Sequence, residues 1–216
     1  MIIVGAKGFA KEVLQIVSVD MKIPDDEIVF FDDVSKDLSD LIFNKFRILT
    51  SYVEVKTFLS NSKSKEFILG LGNSKHRKML FEKLQVLGAI PKTIISSSAS
   101  IGSFNVSIGL GSSLMSGSVI SNEVKIGKAA LIYYNVAITH DCVIGDFVEI
   151  SPNVSILGRC KIGDNTFLGA GTTVLPDVVI GDNVIVGAGT VVLKDVPNNS
   201  VIVGVPGKII KKLDII

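Results

Sequence analysis

The sequence predicts two architectures in one chain: a small α/β unit over residues 1–94 and a coil of short parallel strands over residues 95–216. Three observations carry this reading. Strand and helix patterns alternate in the first stretch, an aliphatic residue recurs at every sixth position in the second, and the composition changes where they join. Residues 1–94 hold 5 of the 20 Gly, 8 of the 11 Phe and 14 of the 22 Lys+Arg; the remainder of each falls in residues 95–216. Ala89-Ile90-Pro91-Lys92 marks the boundary, because Pro91 biases Ile90 away from helix and a short apolar strand, Thr93-Ile94-Ile95, follows.

The first stretch opens with an apolar strand, Ile2-Ile3-Val4, and a glycine-containing turn, Gly5-Ala6-Lys7-Gly8-Phe9. Apolar residues at Ala10, Val13, Leu14 and Val17 predict a helix from Ala10 to Val19. A second strand, Glu27 to Phe31, ends on Asp32-Asp33, and a third, Glu66 to Gly70, leads through Leu71 and Gly72 into Asn73-Ser74. Those two residues cap a basic helix from Lys75 to Leu87, on which Lys75, Arg77, Lys78 and Lys83 read as a solvated face and His76 as a surface residue. This order predicts a small Rossmann-like parallel sheet that takes ligands at the carboxyl ends of its strands.

The second stretch is a repeat. From Ile108 to Val192, in steps of six, all fifteen positions are Ile, Leu or Val, and Ile101 and Ile95 extend the run backwards after a one-residue slip at Ser107. Gly follows the aliphatic residue at 109, 127, 145, 163 and 181, so three hexapeptides make one eighteen-residue turn of a three-sided coil. The position four after each aliphatic residue is small or β-branched, as a second inward site in a narrow prism requires. Cys142 and Cys160 occupy two such sites, one coil apart at about 4.8 Å, and read as core residues.

Composition excludes several function classes. Lys+Arg 22 against Asp+Glu 21 leaves a net charge of +1, which offers neither nucleic acid nor an anionic membrane a partner surface. No apolar run reaches the roughly 18 residues of a spanning helix, and no basic leader precedes Met1-Ile2-Ile3-Val4, so a cytoplasmic location is expected. Two Cys support neither a disulfide framework nor a structural zinc site. Two His are too few for the usual imidazole-rich metal site, and no metal is expected.

The hexapeptide lattice resembles that of the hexapeptide-repeat acyltransferases. The resemblance, and not the spacing, implies a left-handed parallel β-helix, since general crossover rules favour the opposite hand. It also implies a homotrimer, with the active site at the subunit interface.

His140, in Ile138-Thr139-His140-Asp141-Cys142-Val143, lies two residues beyond an inward Ile and therefore on a turn. One coil onward, the same corner carries Gly158, which has no side chain; Ala170 and Ala188 stack at the equivalent place on another corner. Small residues leave a groove in which the pantetheine arm of coenzyme A can lie against backbone N–H and C=O groups. His140 suits the base that takes a proton from an attacking amine or hydroxyl, with Asp141 fixing its tautomer and the Gly158 N–H as candidate oxyanion donor.

Further motifs narrow the resemblance. Gly5-Ala6-Lys7-Gly8-Phe9, Asp32-Asp33, Leu71-Gly72-Asn73, His140-Asp141-Cys142-Val143-Ile144-Gly145-Asp146-Phe147 and Val203-Gly204-Val205-Pro206-Gly207-Lys208 together are similar to the sialic-acid O-acetyltransferase and nucleotide-sugar N-acetyltransferase group. The resemblance implies His140 as base, Asp141 as its helper, and Gly158, Ala170 and Ala188 along acetyl-CoA. It places Lys7, Gly8, Phe9, Asp32, Asp33 and Gly72 against the nucleotide of a nucleotide-linked amino sugar. Two positions depart from the group: Glu149 stands where relatives commonly carry a second His near the acetyl group, and Gly207 replaces an Ala. The implied activity is transfer of acetyl from acetyl-CoA to the amino group of such a sugar, in cell-surface polysaccharide biosynthesis. Two alternatives stay open: O-acetylation of a sialic-acid-like or other sugar hydroxyl, and a non-catalytic sugar-nucleotide-binding module.

Overall fold

A computed structural model describes residues 1–214. The chain forms two compact units, Met1–Ile94 and Ile95–Ile216. In the first, β1 (Ile2–Val4) is wholly buried between β2 (Val29–Phe31) and β5 (Glu66–Leu69), parallel to both. The helix α1 (Gly8–Gln15) buries Ala10, Val13 and Leu14, and its apolar stripe continues through a wider π-turn over Ile16–Asp20. The second strand starts two residues later than its composition suggests, because Asp25–Glu27 closes a 3-10 turn behind Pro24.

Three elements lie where the sequence pattern is silent. A hairpin joins β3 (Leu41–Ile42) to β4 (Phe46–Leu49) through Phe43 and Asn44, both with left-handed backbone (φ +50° and +53°). The helix α2 (Tyr52–Asn61) is capped by Ser51, whose Oγ accepts from the Glu54 N–H, while the Glu54 carboxylate reaches one residue further back and accepts from the Thr50 N–H. The short strand β6 (Ile90–Pro91) pairs with β5. The sheet order is β3-β4-β2-β1-β5-β6, parallel except for β3. The chain leaves β1 towards β2 on one side and returns through β5 on the other, which opens a crevice at the carboxyl ends of these central strands. At Gly70, just past β5, a Cβ would lie 2.8 Å from both Cα and Cβ of Ala10, so only glycine lets α1 seat this closely on the sheet.

The helix α3 (Ser74–Val86) starts at Asn73, whose Oδ1 accepts from the His76 N–H. One residue on its basic face departs from the solvated role expected of it. Arg77 is only 1% exposed, because its guanidinium turns inward and donates to the Gly72 carbonyl, bracing the turn that ends β5.

The second unit is a coil of two-residue strands stacked in parallel register at eighteen-residue intervals. Ile120, Ile138, Ile156, Val174 and Val192 form one such column. The second inward column is equally buried; Val124, Ala130, Val136, Cys142, Val148, Val154, Cys160 and Val184 are all at 0–1% exposure. The Cys142 thiol donates to the Leu157 carbonyl, 3.2 Å away, and the neighbouring Cys160 sulfur, with burial, pushes it up, so it stays protonated. At the one-residue slip, Ser100–Ile101 still pairs with Val119–Ile120, and the extra residue is taken up in the exposed turn around Phe104 and Asn105.

Three edges turn the coil, each through a residue with left-handed backbone. Asp141, Arg159 and Asp177 serve one, Phe147, Asn165 and Asn183 the next, and Asn153, Gly171 and Gly189 the third. Burial of stacked aliphatics dominates the energetics of this unit. Ile150→Ala is expected to cost about 2–5 kcal/mol, read as a lowered denaturant midpoint with little change in slope.

Candidate active site

The edges of the coil differ in what their turn N–H groups bond. Along the Asp146 edge four successive turn N–H groups are closed by a side chain from the next coil: Lys128 N–H on Asp146 Oδ1 (2.9 Å), Asp146 on Asp164 (2.7 Å), Asp164 on Asp182 (2.8 Å) and Asp182 on Asn198 Oδ1 (2.9 Å). At the equivalent turn position on the other two edges, the N–H groups of Gly158, Ala170 and Ala188 find no acceptor among the described residues. Ala170, Gly171, Ala188 and Gly189 are exposed, and the space where Gly171 and Gly189 would carry a Cβ is empty. The Ala170 edge therefore carries exposed backbone with small side chains or none.

His140 sits on the edge turned by Asp141, Arg159 and Asp177, where Gly158 is buried. Its Nδ1 lies 2.6 Å from Asp141 Oδ2, and both side chains are about half exposed, so Nδ1–H donates to the carboxylate and Nε2 is left as the basic nitrogen. The imidazole lies over Gly158 of the next coil. A Cβ at 158 would come within 2.6 Å of Cε1 and 2.7 Å of Nε2, so only glycine leaves room for the ring there. The coil thus places a base, its tautomer-fixing carboxylate and a free N–H within one rung.

The structure brings His140, Asp141 and Gly158 together but separates them from the other residues expected to hold the acetyl donor. Ala170 and Ala188 lie on a different edge, one face away, roughly 15 Å at strand rise. Glu149 lies in the strand Glu149–Ile150, paired with Leu131 and Phe167 on its neighbours, on the face between the Asp146 and Ala170 edges.

In the first unit, a cavity of about 330 Å³ opens at the carboxyl ends of β1, β2 and β5. Lys7, Phe9, Asp32, Asp33 and Gly72 line it, with Gly5, Phe31, Leu71, His76 and Leu80; Gly8 begins α1 beside it and is exposed. Asp32 is buried and bonded within the chain, accepting from the N–H groups of Ala6, Val34 and Ser35 and from Ser35 Oγ, so it shapes the wall. Asp33 is exposed and electrostatically linked to Tyr52; burial holds the Tyr52 phenol above its ordinary range, with Asp33 adding to the effect. Lys83 lies 3.6 Å from the centroid of the Tyr52 ring, a cation–π contact. His76, read from sequence as a mere surface residue, faces this cavity because its cap places it on the first turn of α3. Among the described residues, no three His, Cys, Asp or Glu side chains gather to hold a metal ion, and no helix is long and apolar enough to cross a membrane.

Residues 1–84 match the PglD N-terminal domain, and residues 141–176 and 159–194 match the bacterial transferase hexapeptide repeat. No curated protein matches the chain by sequence. Among solved structures it is similar to WeeI from Acinetobacter baumannii AYE, at 31% identity over 97% of this chain and 98% of that one, with a TM-score of 0.89. It is similar to PerB from Caulobacter crescentus, solved with CoA and GDP-perosamine (27% identity, 97% and 96% coverage, TM-score 0.83). It is also similar to the acetyltransferase domain of PglB from Neisseria gonorrhoeae FA1090 (26%, 97% and 98%, TM-score 0.84). The two matched family segments, and an identity of 31% sustained along nearly the whole chain, settle its kinship: the chain belongs to the hexapeptide-repeat acetyltransferases, in the group of sialic-acid O-acetyltransferases and nucleotide-sugar N-acetyltransferases.

Proposed function

We propose that this protein transfers the acetyl group of acetyl-CoA to the amino group of a nucleotide-linked amino sugar, with His140 as general base. The observation that carries the reading is the 2.6 Å His140–Asp141 contact beside the free Gly158 N–H. Nε2 of His140 takes the proton of the amine as its nitrogen bonds the thioester carbonyl carbon. Gly158 N–H donates to the carbonyl oxygen as negative charge develops there. Asp141 stabilises the imidazolium, which returns its proton to the sulfur as the C–S bond breaks. Acetyl-CoA supplies an activated acyl carbon and a thiol leaving group.

The bare N–H groups of Ala170 and Ala188 fit the amide carbonyls of a pantetheine arm. They lie on a different edge from His140, so one arm that touches both needs a second copy of the chain, which supports a homotrimer with its site between subunits. Exposed Val143, Val179 and Ile185 on the flat faces are suited to such packing. The cavity of the first unit is assigned to the nucleotide sugar, with Asp33, Lys7, Phe9 and His76 on its wall; PerB, of the same fold, was solved with GDP-perosamine. A cytoplasmic location follows from these substrates.

The test is thiol release from acetyl-CoA with a panel of GDP-, UDP- and dTDP-linked amino sugars, alongside sialic acid and neutral sugars. Turnover is expected with a nucleotide-linked amino sugar. Turnover confined to hydroxyl acceptors would replace the reading with O-acetylation, and nucleotide-sugar binding without any acetyl-CoA binding would replace it with a non-catalytic module. Ala188→Leu covers one free N–H and is expected to raise KM for acetyl-CoA about tenfold, with little change in KM for the sugar.

A further inference from the structure

We propose that Asp177 is a positioning residue for the His140–Asp141 pair: by holding Arg159 it keeps that guanidinium off Asp141, and so preserves the Nδ1–H tautomer of His140. The inference rests on the acetyl-transfer reading above.

Asp141, Arg159 and Asp177 occupy the same turn position in three successive coils, with φ of +59°, +63° and +66°. Their backbones are tied in register: the Arg159 N–H donates to the His140 carbonyl (2.9 Å), and the Asp177 N–H to the Gly158 carbonyl (3.0 Å). Successive coils are about 4.8 Å apart, so one guanidinium stands between two carboxylates, each within reach of its long side chain. It has chosen one of them. Nε lies 2.6 Å from Asp177 Oδ1 and Nη2 lies 2.7 Å from Oδ2, a two-point contact, while Asp141 turns to His140. Glu123, one coil before Asp141 on this edge, is hydrogen-bonded by Asn105.

The charges are linked across the column. Asp177 chiefly, and Asp141 to a lesser degree, hold the Arg159 guanidinium protonated; Arg159 chiefly, and His140 to a lesser degree, hold Asp177 below the usual carboxylate range. A two-point Arg–carboxylate contact is stronger than the single hydrogen bond from a neutral imidazole. Asp141 is therefore available to His140 only while Arg159 has another anion. Were Asp177 to become an amide, Arg159 would turn to Asp141, Nδ1 would lose its acceptor, and the proton would be free to settle on Nε2, the nitrogen that must act as base.

The test compares wild type, Asp177→Asn, Arg159→Gln and the double variant, by turnover and by 15N NMR of the imidazole tautomer. The chain has two His, so His76→Gln assigns the second imidazole. Asp177→Asn is expected to lower kcat about tenfold or more and to move neutral His140 towards the Nε2–H form. The double variant, with no guanidinium to compete, is expected to recover most of the rate and the Nδ1–H form. A merely structural Asp177 would show no such rescue. The proposal is overturned if Asp177→Asn keeps the wild-type tautomer, or if the double variant stays as slow as Asp177→Asn. Should wild type show no turnover with any acceptor, the acetyl-transfer reading fails on that ground alone, and the tautomer comparison still decides the role of Asp177.

Discussion

His140→Ala is expected to lower kcat by about 10²–10⁴-fold while leaving the KM values for acetyl-CoA and the acceptor within a few-fold of wild type. The ring touches Asp141 and lies over Gly158, and more than half of its side-chain surface is open to solvent, so its removal leaves no buried void. Thermal unfolding is expected to stay within about 0.5 kcal/mol of wild type, as for other surface substitutions. An amine acceptor arrives largely protonated at neutral pH, and without a base the attacking nitrogen must lose its proton to water. Raising the pH supplies neutral amine and partly replaces the missing group. The variant's rate should therefore climb steadily with pH where that of wild type levels off. A variant that retained more than a tenth of wild-type turnover with a matched acceptor would remove His140 from the chemistry.

Gly158→Ala is expected to be nearly as damaging, through a different mechanism. Its methyl group would lie within 2.6–2.7 Å of the His140 ring atoms, far inside contact distance, so the imidazole must rotate away and give up Asp141. A base displaced by an ångström or more loses its line to the attacking nitrogen, and a loss of about 10²-fold in kcat is expected. The position does not use a left-handed backbone, so the fold itself tolerates the change. Circular dichroism and melting should match wild type, and the Nδ1–H tautomer of His140 should be lost. A Gly158→Ala enzyme with normal kcat would mean that the ring works from another pose.

The coil, and the stacking of His140 on Gly158, were legible because the repeat is arithmetic. Eighteen residues separate His140 from Gly158, and the register places one directly on the other. Asp146, Asp164 and Asp182 also stand eighteen residues apart. Their role in closing turn N–H groups, and hence the contrast with the open Gly158, Ala170 and Ala188, depends on side-chain geometry that spacing does not report. In the first unit, the strand–turn–helix alternation was readable, whereas the hairpin at Phe43-Asn44 and the helix from Tyr52 were not. Both lie in a stretch of short elements with mixed polarity, where strands of two and four residues leave too little period to see. Arg77 and His76 share one helix, and composition gives them the same solvated face. A carbonyl at Gly72 draws one inward, and the cap at Asn73 turns the other to the cavity, both contacts made by residues outside the helix.

Stacked coils touch only their neighbours, so the stability of this unit is close to a chain of local junctions, and loosening begins at its ends. The rung proposed to carry the catalysis joins the coil of His140 to that of Gly158, with further coils on either side. On the proposed mechanism, proton transfer therefore depends on a single interior junction. Mild denaturant is expected to fray the terminal strands first, raising KM for acetyl-CoA as the coil of Ala188 loosens, while kcat falls only when the unravelling front arrives at that junction.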